Sequence, residues 1–161
     1  IDTYFRHKTI QGYVHDMAAT MEGGIAGHAF IGLDAKEYGY MSRAYLSCDY
    51  TAVTAACLMV PKAVFDEVGG LCEEYAVAFN DVDFCLKLRK INDLIVYTPE
   101  VELYHYESIS RGVENNTEKQ IRFHKEVAYM NYRWAKYYVE GDPYINPNFS
   151  VGEPGNRYYH L

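Results

Sequence analysis

Hydrophobic positions along the chain fall into short blocks whose spacing switches between strand-like and helix-like periods. Residues 9–15 read as a short strand, and Gly23, Gly24 and Gly27 mark a turn after it. From 32 to 47 the sequence is polar and rich in Tyr and Gly, which suits an irregular surface segment. Residues 51–60 form a β-compatible apolar run stopped by Pro61. Pro61 at a first helical position then opens a short helix over 62–68, closed by Gly69 and Gly70. The next helix carries the clearest local signals. Asn80 or Asp81 is placed to cap it, Asp83 lies in its first turn, and Lys87, Arg89 and Lys90 crowd its last turn, as the helix dipole favours. Phe84, Leu88 and Ile91 mark its buried stripe, and Asn92 stands where the left-handed closing residue belongs. Two short strands follow, over 94–97 and 101–106, separated by Thr98, Pro99 and Glu100. A long helix begins near Thr117, where Thr117 and Gln120 have capping-box spacing. Phe123, Val127, Met130 and Trp134 share one face of it, and Gly141 and Pro143 end it. Strands alternating with helices predict an α/β chain.

Composition narrows the field of activities. Lys and Arg number 15 against 22 Asp and Glu, a net charge of −7, and no basic cluster interrupts the acidic balance. Such a chain is not expected to bind nucleic acid. At 49% hydrophobic residues it is not a disordered chain either. Tyr accounts for 17 residues, against seven Phe and one Trp, and its apolar face with a polar tip suits wet, sugar-lined surfaces as well as cores. Cys48, Cys57, Cys72 and Cys85 form no C-x-x-C pair, and Cys57 and Cys85 sit in apolar runs. Buried free thiols in a reducing compartment are therefore expected. No signal peptide is visible, and the longest apolar run, 52–60, falls short of the roughly 20 residues of a spanning helix. A cytoplasmic location, peripheral to the inner face of the membrane, is the expectation.

Three positions hold groups that chemistry could use. Asn80-Asp81-Val82-Asp83 follows an apolar stretch, and a carboxylate at a loop-to-helix junction is rigidly aimed for general-base work. Capping alone also explains acids there. His105, with Tyr104, Glu107 and Ser108 around it and Arg111 shortly after, lies at the end of an apparent strand. An imidazole so placed serves as a metal ligand or as a hydrogen-bonded structural residue. The Gly23–Gly27 turn lacks both the dinucleotide and the P-loop glycine patterns.

Read together, these segments resemble a family. Thr54-Ala55-Ala56-Cys57 within 50–60 and Gly69-Gly70 closing 64–70 are followed by Asn80-Asp81-Val82-Asp83-Phe84-Cys85-Leu86 within 78–89. Tyr97-Thr98-Pro99 and then Tyr104-His105-Tyr106-Glu107-Ser108 come next. In this order and spacing they resemble family 2 glycosyltransferases of bacterial surface-polysaccharide synthesis. The turn at 23–28 and the tail at 142–148 are similar to one branch of that family. The resemblance implies a GT-A fold and transfer from a nucleotide-diphosphate sugar to a glycan or lipid-linked glycan acceptor. It implies that Asp81 is the base that deprotonates the acceptor hydroxyl, and that His105 helps hold a divalent metal, magnesium or manganese, on the diphosphate. Thr54, Ala55, Ala56, Asn80 and Asp83 would border the substrate pocket, and Ser108 and Arg111 the loop closing over the diphosphate.

Two departures shape what is expected of this chain. The family often has Glu where this sequence has Asn80. Its nucleotide-binding half, with an Asp-x-Asp metal motif, precedes the region that matches, and here the Asp-x-Asp at 81–83 is the base motif itself. The chain is therefore expected to be a partial GT-A unit, the C-terminal, acceptor-side part of a transferase. Residues 1–161 would form a single domain, with a catalytic-core remnant over 1–116 and the long helix and strap over 117–161. Alone it would be inactive and would bind no metal; a two-fold dimer is expected, with a monomer whose long helix and strap fold back over the exposed face as the alternative. A non-catalytic glycan-binding or subunit-docking domain is the alternative.

Overall fold

The computed structural model describes residues 2–8, 13–15, 18–20, 25–28, 33–34, 36–104 and 116–144. Its centre is a mixed sheet of five strands in the order β5 (Leu33–Asp34), β2 (Tyr13–His15), β1 (Asp2–Lys8), β8 (Ile95–Tyr104) and β6 (Cys48–Asp49). Strands β1 and β8 run parallel, and the other neighbours are antiparallel. A second, antiparallel sheet has the order β4 (Gly27–His28), β3 (Ala18–Thr20) and β7 (Ala52–Val53). The fold is thus mixed α/β. No helix among the described residues is long and apolar enough to cross a membrane.

Two strand expectations change. The pair expected at 94–97 and 101–106 is one strand over the described residues, β8 at Ile95–Tyr104, with 105 and 106 outside them. Its register against β1 jumps from Phe5–Thr98 to Arg6–Glu102. Pro99 carries no N–H, so the extra residues bulge out of the ladder rather than end the strand. The apolar run 51–60 is strand only at Ala52–Val53 and then turns into a 3-10 segment, Ala55–Cys57. Thr54 Oγ1 accepts the Ala56 N–H at 3.4 Å, a local bond that competes with the sheet ladder.

Helix α1 (Lys62–Glu67) starts after Pro61, whose extended ψ of 136° makes it the cap rather than the first helical residue. The helix closes in a Schellman motif. The Gly69 N–H donates to Asp66 O at 3.1 Å and the Gly70 N–H to Phe65 O at 2.8 Å. Both glycines have positive φ, but a Cβ on Gly69 would meet nothing within 4 Å, whereas one on Gly70 would lie 2.8 Å from Phe65 Cε1. The Phe65 ring is itself packed on Phe84, 5.4 Å between centroids. Gly69→Ala should therefore cost about 1–2 kcal/mol for the left-handed backbone alone. Gly70→Ala should cost roughly 1 kcal/mol more for the displaced ring. Urea midpoints of the two variants check the order.

Helix α2 (Asn80–Lys90) begins differently from the expectation. Neither Asn80 nor Asp81 is its cap. That position belongs to Phe79, left-handed at φ 64° and ψ 1°, whose carbonyl accepts the Asp83 N–H at 2.8 Å. Acids in the first turn and bases in the last stand as expected. The end is a second Schellman motif with Asn92 at φ 63°, donating to Arg89 O at 3.1 Å, and Asp93 donating to Leu88 O at 3.2 Å. Phe84 and Leu88 are fully buried, while Ile91 at the helix end is exposed.

Helix α3 (Thr117–Arg133) is capped by Asn116, whose side chain accepts the Lys119 N–H at 2.9 Å, rather than by a box at Thr117. It breaks at Trp134 before α4 (Ala135–Glu140). The side chains α3 sends inward, with the Trp134 that follows it, are spaced by four residues: Glu126, Met130 and Trp134. Phe123 lies at the margin of that face, partly exposed. They pack against a core that includes Tyr50, Val53, Tyr75, Phe84, Leu86, Leu88, Ile95 and Tyr97. Past α4, Asp142 Oδ1 accepts from Thr51 Oγ1 at 2.6 Å and from the Tyr144 N–H at 2.8 Å. The Arg89 guanidinium bonds the carbonyls of Tyr50 and Asp93 and lies 4.4 Å from the Tyr144 ring centre. All four cysteines are free thiols, with Cys85 buried.

Burial pushes the Tyr138 phenol up, and burial followed by the nearby Asp83 carboxylate does the same to Tyr75. Tyr75 also donates its hydroxyl to Met130 Sδ at 3.3 Å. A phenol whose folded pKa exceeds its unfolded value of about 10 favours folding fully below that pH. Its contribution is lost as pH rises through the folded value. Stability should thus fall on the alkaline side above pH ~10, with phenolate absorbance appearing together with unfolding rather than before it.

Candidate active site

The site is assembled where the loop before α2 meets the 3-10 segment after β7. Asp81, half-buried in the first turn of α2, turns its carboxylate toward that segment. Oδ1 accepts the N–H of its neighbour Val82 at 2.9 Å, and Oδ2 accepts the Ala55 N–H at 3.0 Å. These bonds occupy one lone pair on each oxygen, which leaves capacity to accept a further donor such as a hydroxyl. Thr54, Ala55 and Ala56, expected from the sequence to border the pocket, are thereby brought beside Asp81. Ala55 and Ala56 are exposed, and their side chains are short. Asn80 is half-buried at the start of the same helix.

Asp83 goes elsewhere. Two residues along a helix turn about 200° around its axis, so Asp81 and Asp83 face opposite sides. Asp83 is completely buried, and Oδ1 accepts from Trp134 Nε1 at 2.8 Å with Arg133 Nε at 3.0 Å. Lys87 Nζ stands 3.6 Å from its other oxygen. One oxygen is thus bonded to Trp134 and Arg133 and the other faces Lys87, so Asp83 points into the interior and away from Asp81.

His105, Ser108 and Arg111 lie outside the described residues, as does the turn at Gly23–Gly24. Among the described residues no three His, Cys, Asp or Glu side chains converge as a metal site. The donors that a magnesium or manganese ion needs, several oxygens around one point, are thus not assembled in this part of the chain.

Sequence reasoning missed what holds the loop in front of α2. Glu126 of α3, only 3% exposed, accepts the Val77 N–H at 3.1 Å and the Ala78 N–H at 3.0 Å, one on each carboxylate oxygen. A signal for it exists: Glu126 precedes Met130 and Trp134 at intervals of four, so an acid stands in a buried stripe and must be partnered there.

No family model matches the chain, and no solved structure matches it. Among curated proteins it is 48% identical over 130 residues to the uncharacterized protein y4gI of Sinorhizobium fredii, covering 80% of this chain and 14% of that protein. It is 32% identical over 133 residues to the O-antigen biosynthesis protein RfbC of Myxococcus xanthus, covering 80% of this chain and 10% of that protein. Over 60 residues it is 37% identical to the N-acetylglucosaminyl-diphospho-decaprenol L-rhamnosyltransferase of Mycobacterium tuberculosis, covering 37% of this chain and 20% of that protein. The chain therefore spans between 10% and 20% of the length of these curated relatives.

Proposed function

We propose that this chain is the acceptor-side part of a glycosyltransferase of bacterial surface-polysaccharide synthesis, with Asp81 as its general base. The observation that carries the reading is the aimed carboxylate: Asp81 held by the Ala55 N–H, beside a wall of small residues. Relatives named for O-antigen biosynthesis and for L-rhamnosyl transfer support a glycosyltransferase role at that coarse level. The substrates are a nucleotide-diphosphate sugar and a glycan or lipid-linked glycan acceptor. In the transfer, the acceptor oxygen bonds to the anomeric carbon as the bond from that carbon to the diphosphate oxygen breaks. The acceptor proton passes to Asp81, and the nucleoside diphosphate leaves with the electron pair of the broken bond. A base for the incoming oxygen is worth about 10²–10⁴ in rate. A divalent cation would neutralise the leaving diphosphate, with His105 the ligand that the family resemblance nominates. Among the described residues no three His, Cys, Asp or Glu side chains gather to hold such a cation. Asp83 serves the architecture of α2 in this reading.

The test is acceptor-dependent release of nucleoside diphosphate by the full-length protein across a panel of nucleotide sugars with magnesium or manganese. Nucleotide-activated L-rhamnose is the first donor to try, because the Mycobacterium tuberculosis relative is named for transfer of that sugar. Release that requires the acceptor supports the reading. Glycan binding without release from any donor overturns it in favour of a binding module.

A further inference from the structure

We infer that Glu126 is the positioning residue of this site: from α3 it fixes the loop that aims the Asp81 carboxylate. The inference rests on Asp81 being the base, but its structural half can be tested without turnover. A buried carboxylate is costly unless every oxygen is answered, and here each oxygen takes one of two successive backbone N–H groups. Gripping two consecutive N–H groups sets the orientation of the peptide planes at 77–78, which a single contact would leave free to rotate. The chain then enters Phe79, a non-glycine residue in the left-handed region, which persists only where the surroundings over-determine it. Part of that constraint also comes from α3. The Phe79 ring packs on Phe123, centroids 5.6 Å apart, and Phe123 lies three residues before Glu126 on the same helix.

From there to Asp81 no hinge remains. The Phe79 carbonyl is locked by the Asp83 N–H, Asp81 Oδ1 by Val82 and Asp81 Oδ2 by Ala55. Arg122 Nε, 3.7 Å from Glu126 Oε1, completes the surroundings of the anchor from the same helix. A side chain 48 residues beyond Ala78 thus decides where the α2 carboxylate points.

The experiment compares wild type, Glu126→Gln and Glu126→Asp in the full-length protein. Glutamine has one acceptor oxygen, so it sets an NH₂ group against one of the two backbone donors. In wild type, the Val77 and Ala78 amides should exchange with solvent only as slowly as the core of α2. Fast exchange there, on the scale of an open loop, overturns the inference whatever the variants do. In Glu126→Gln those amides should exchange at least tenfold faster, and the Ala55 amide resonance, which reports the Asp81 contact, should shift. With a donor that turns over, kcat should drop about tenfold or more while the donor KM stays within twofold. Glu126→Asp, which keeps both acceptors, should recover part of kcat and of the Ala55 shift. If the amides at 77 and 78 are freed while Ala55 and kcat stay as in wild type, Glu126 is a staple and does not position Asp81. Absence of turnover in wild type with every donor would count against the base reading alone, because the Ala55 resonance still decides the positioning. Should Glu126→Gln fail to fold, Glu126→Asp and the wild-type exchange rates carry the same decision.

Discussion

Full-length protein carrying Asp81→Asn should transfer sugar about 10²-fold or more slowly than wild type, with its melting temperature nearly unchanged. Asparagine keeps the shape of the side chain and one oxygen acceptor, so one of the bonds from Ala55 and Val82 survives. What it loses is the ability to take a proton, and the acceptor oxygen must then attack as a neutral hydroxyl. The structural loss is small by comparison: one hydrogen bond to a half-exposed carboxylate and a favourable charge in the first turn, each about 1 kcal/mol or less. Initial rates of acceptor-dependent nucleotide release, read beside a thermal melt, separate the two effects. A variant that turns over at the wild-type rate removes Asp81 from the role of base.

The opposite signature is expected two residues away. Asp83→Ala should lower folding stability by about 3–5 kcal/mol, the cost of deleting one partner of a buried ion pair. The loss comes from what is left behind. Trp134 Nε1 keeps no acceptor at that position, and Arg133 and Lys87 face a cavity instead of a carboxylate. Asp83→Asn, which retains an acceptor for the indole, should fall between the two. Trp134 is the single tryptophan of the chain, so fluorescence-detected urea unfolding reads this junction directly. A midpoint that does not move on Asp83→Ala would show the carboxylate to be replaceable and the junction held by packing alone.

The parts of the fold legible in sequence are those decided within a few residues. The charge order of α2, the left-handed Asn92 after it and the paired glycines after α1 are local signals, and each is present in the structure. Where distant chain had the deciding vote, local reading failed. Strand β1 draws 95–104 into one strand despite Pro99, because pairing along its whole length outweighs a bulge. Phe79 rather than Asn80 heads α2, because α3 holds the loop from outside. The Ala55 N–H that meets Asp81 lies in the segment which the family resemblance nominated for the pocket. The interior position of Asp83 was available from helical geometry, since acids two apart cannot share a face. Glu126 was hidden only by reading its stripe as Phe123, Val127, Met130 and Trp134, which passed over the acid among them.

The bond between Thr51 and Asp142 joins residues 91 apart and lies at the buried foot of the same β7 segment that leads to Ala55. On a ribosome adding about 5–20 residues per second, that separation is on the order of 5–20 s of synthesis. For the later part of that interval, after Asp81 and the motif around it have been added, the nascent chain holds the motif without its partners. Glu126, Trp134 and Asp142 arrive afterwards, in that order, each closing one open group: the loop amides, the Asp83 carboxylate, the Thr51 hydroxyl. Translation therefore completes the motif well before these three partners exist, and the emerging chain passes through a stage at which the loop amides, the Asp83 carboxylate and the Thr51 hydroxyl still lack them.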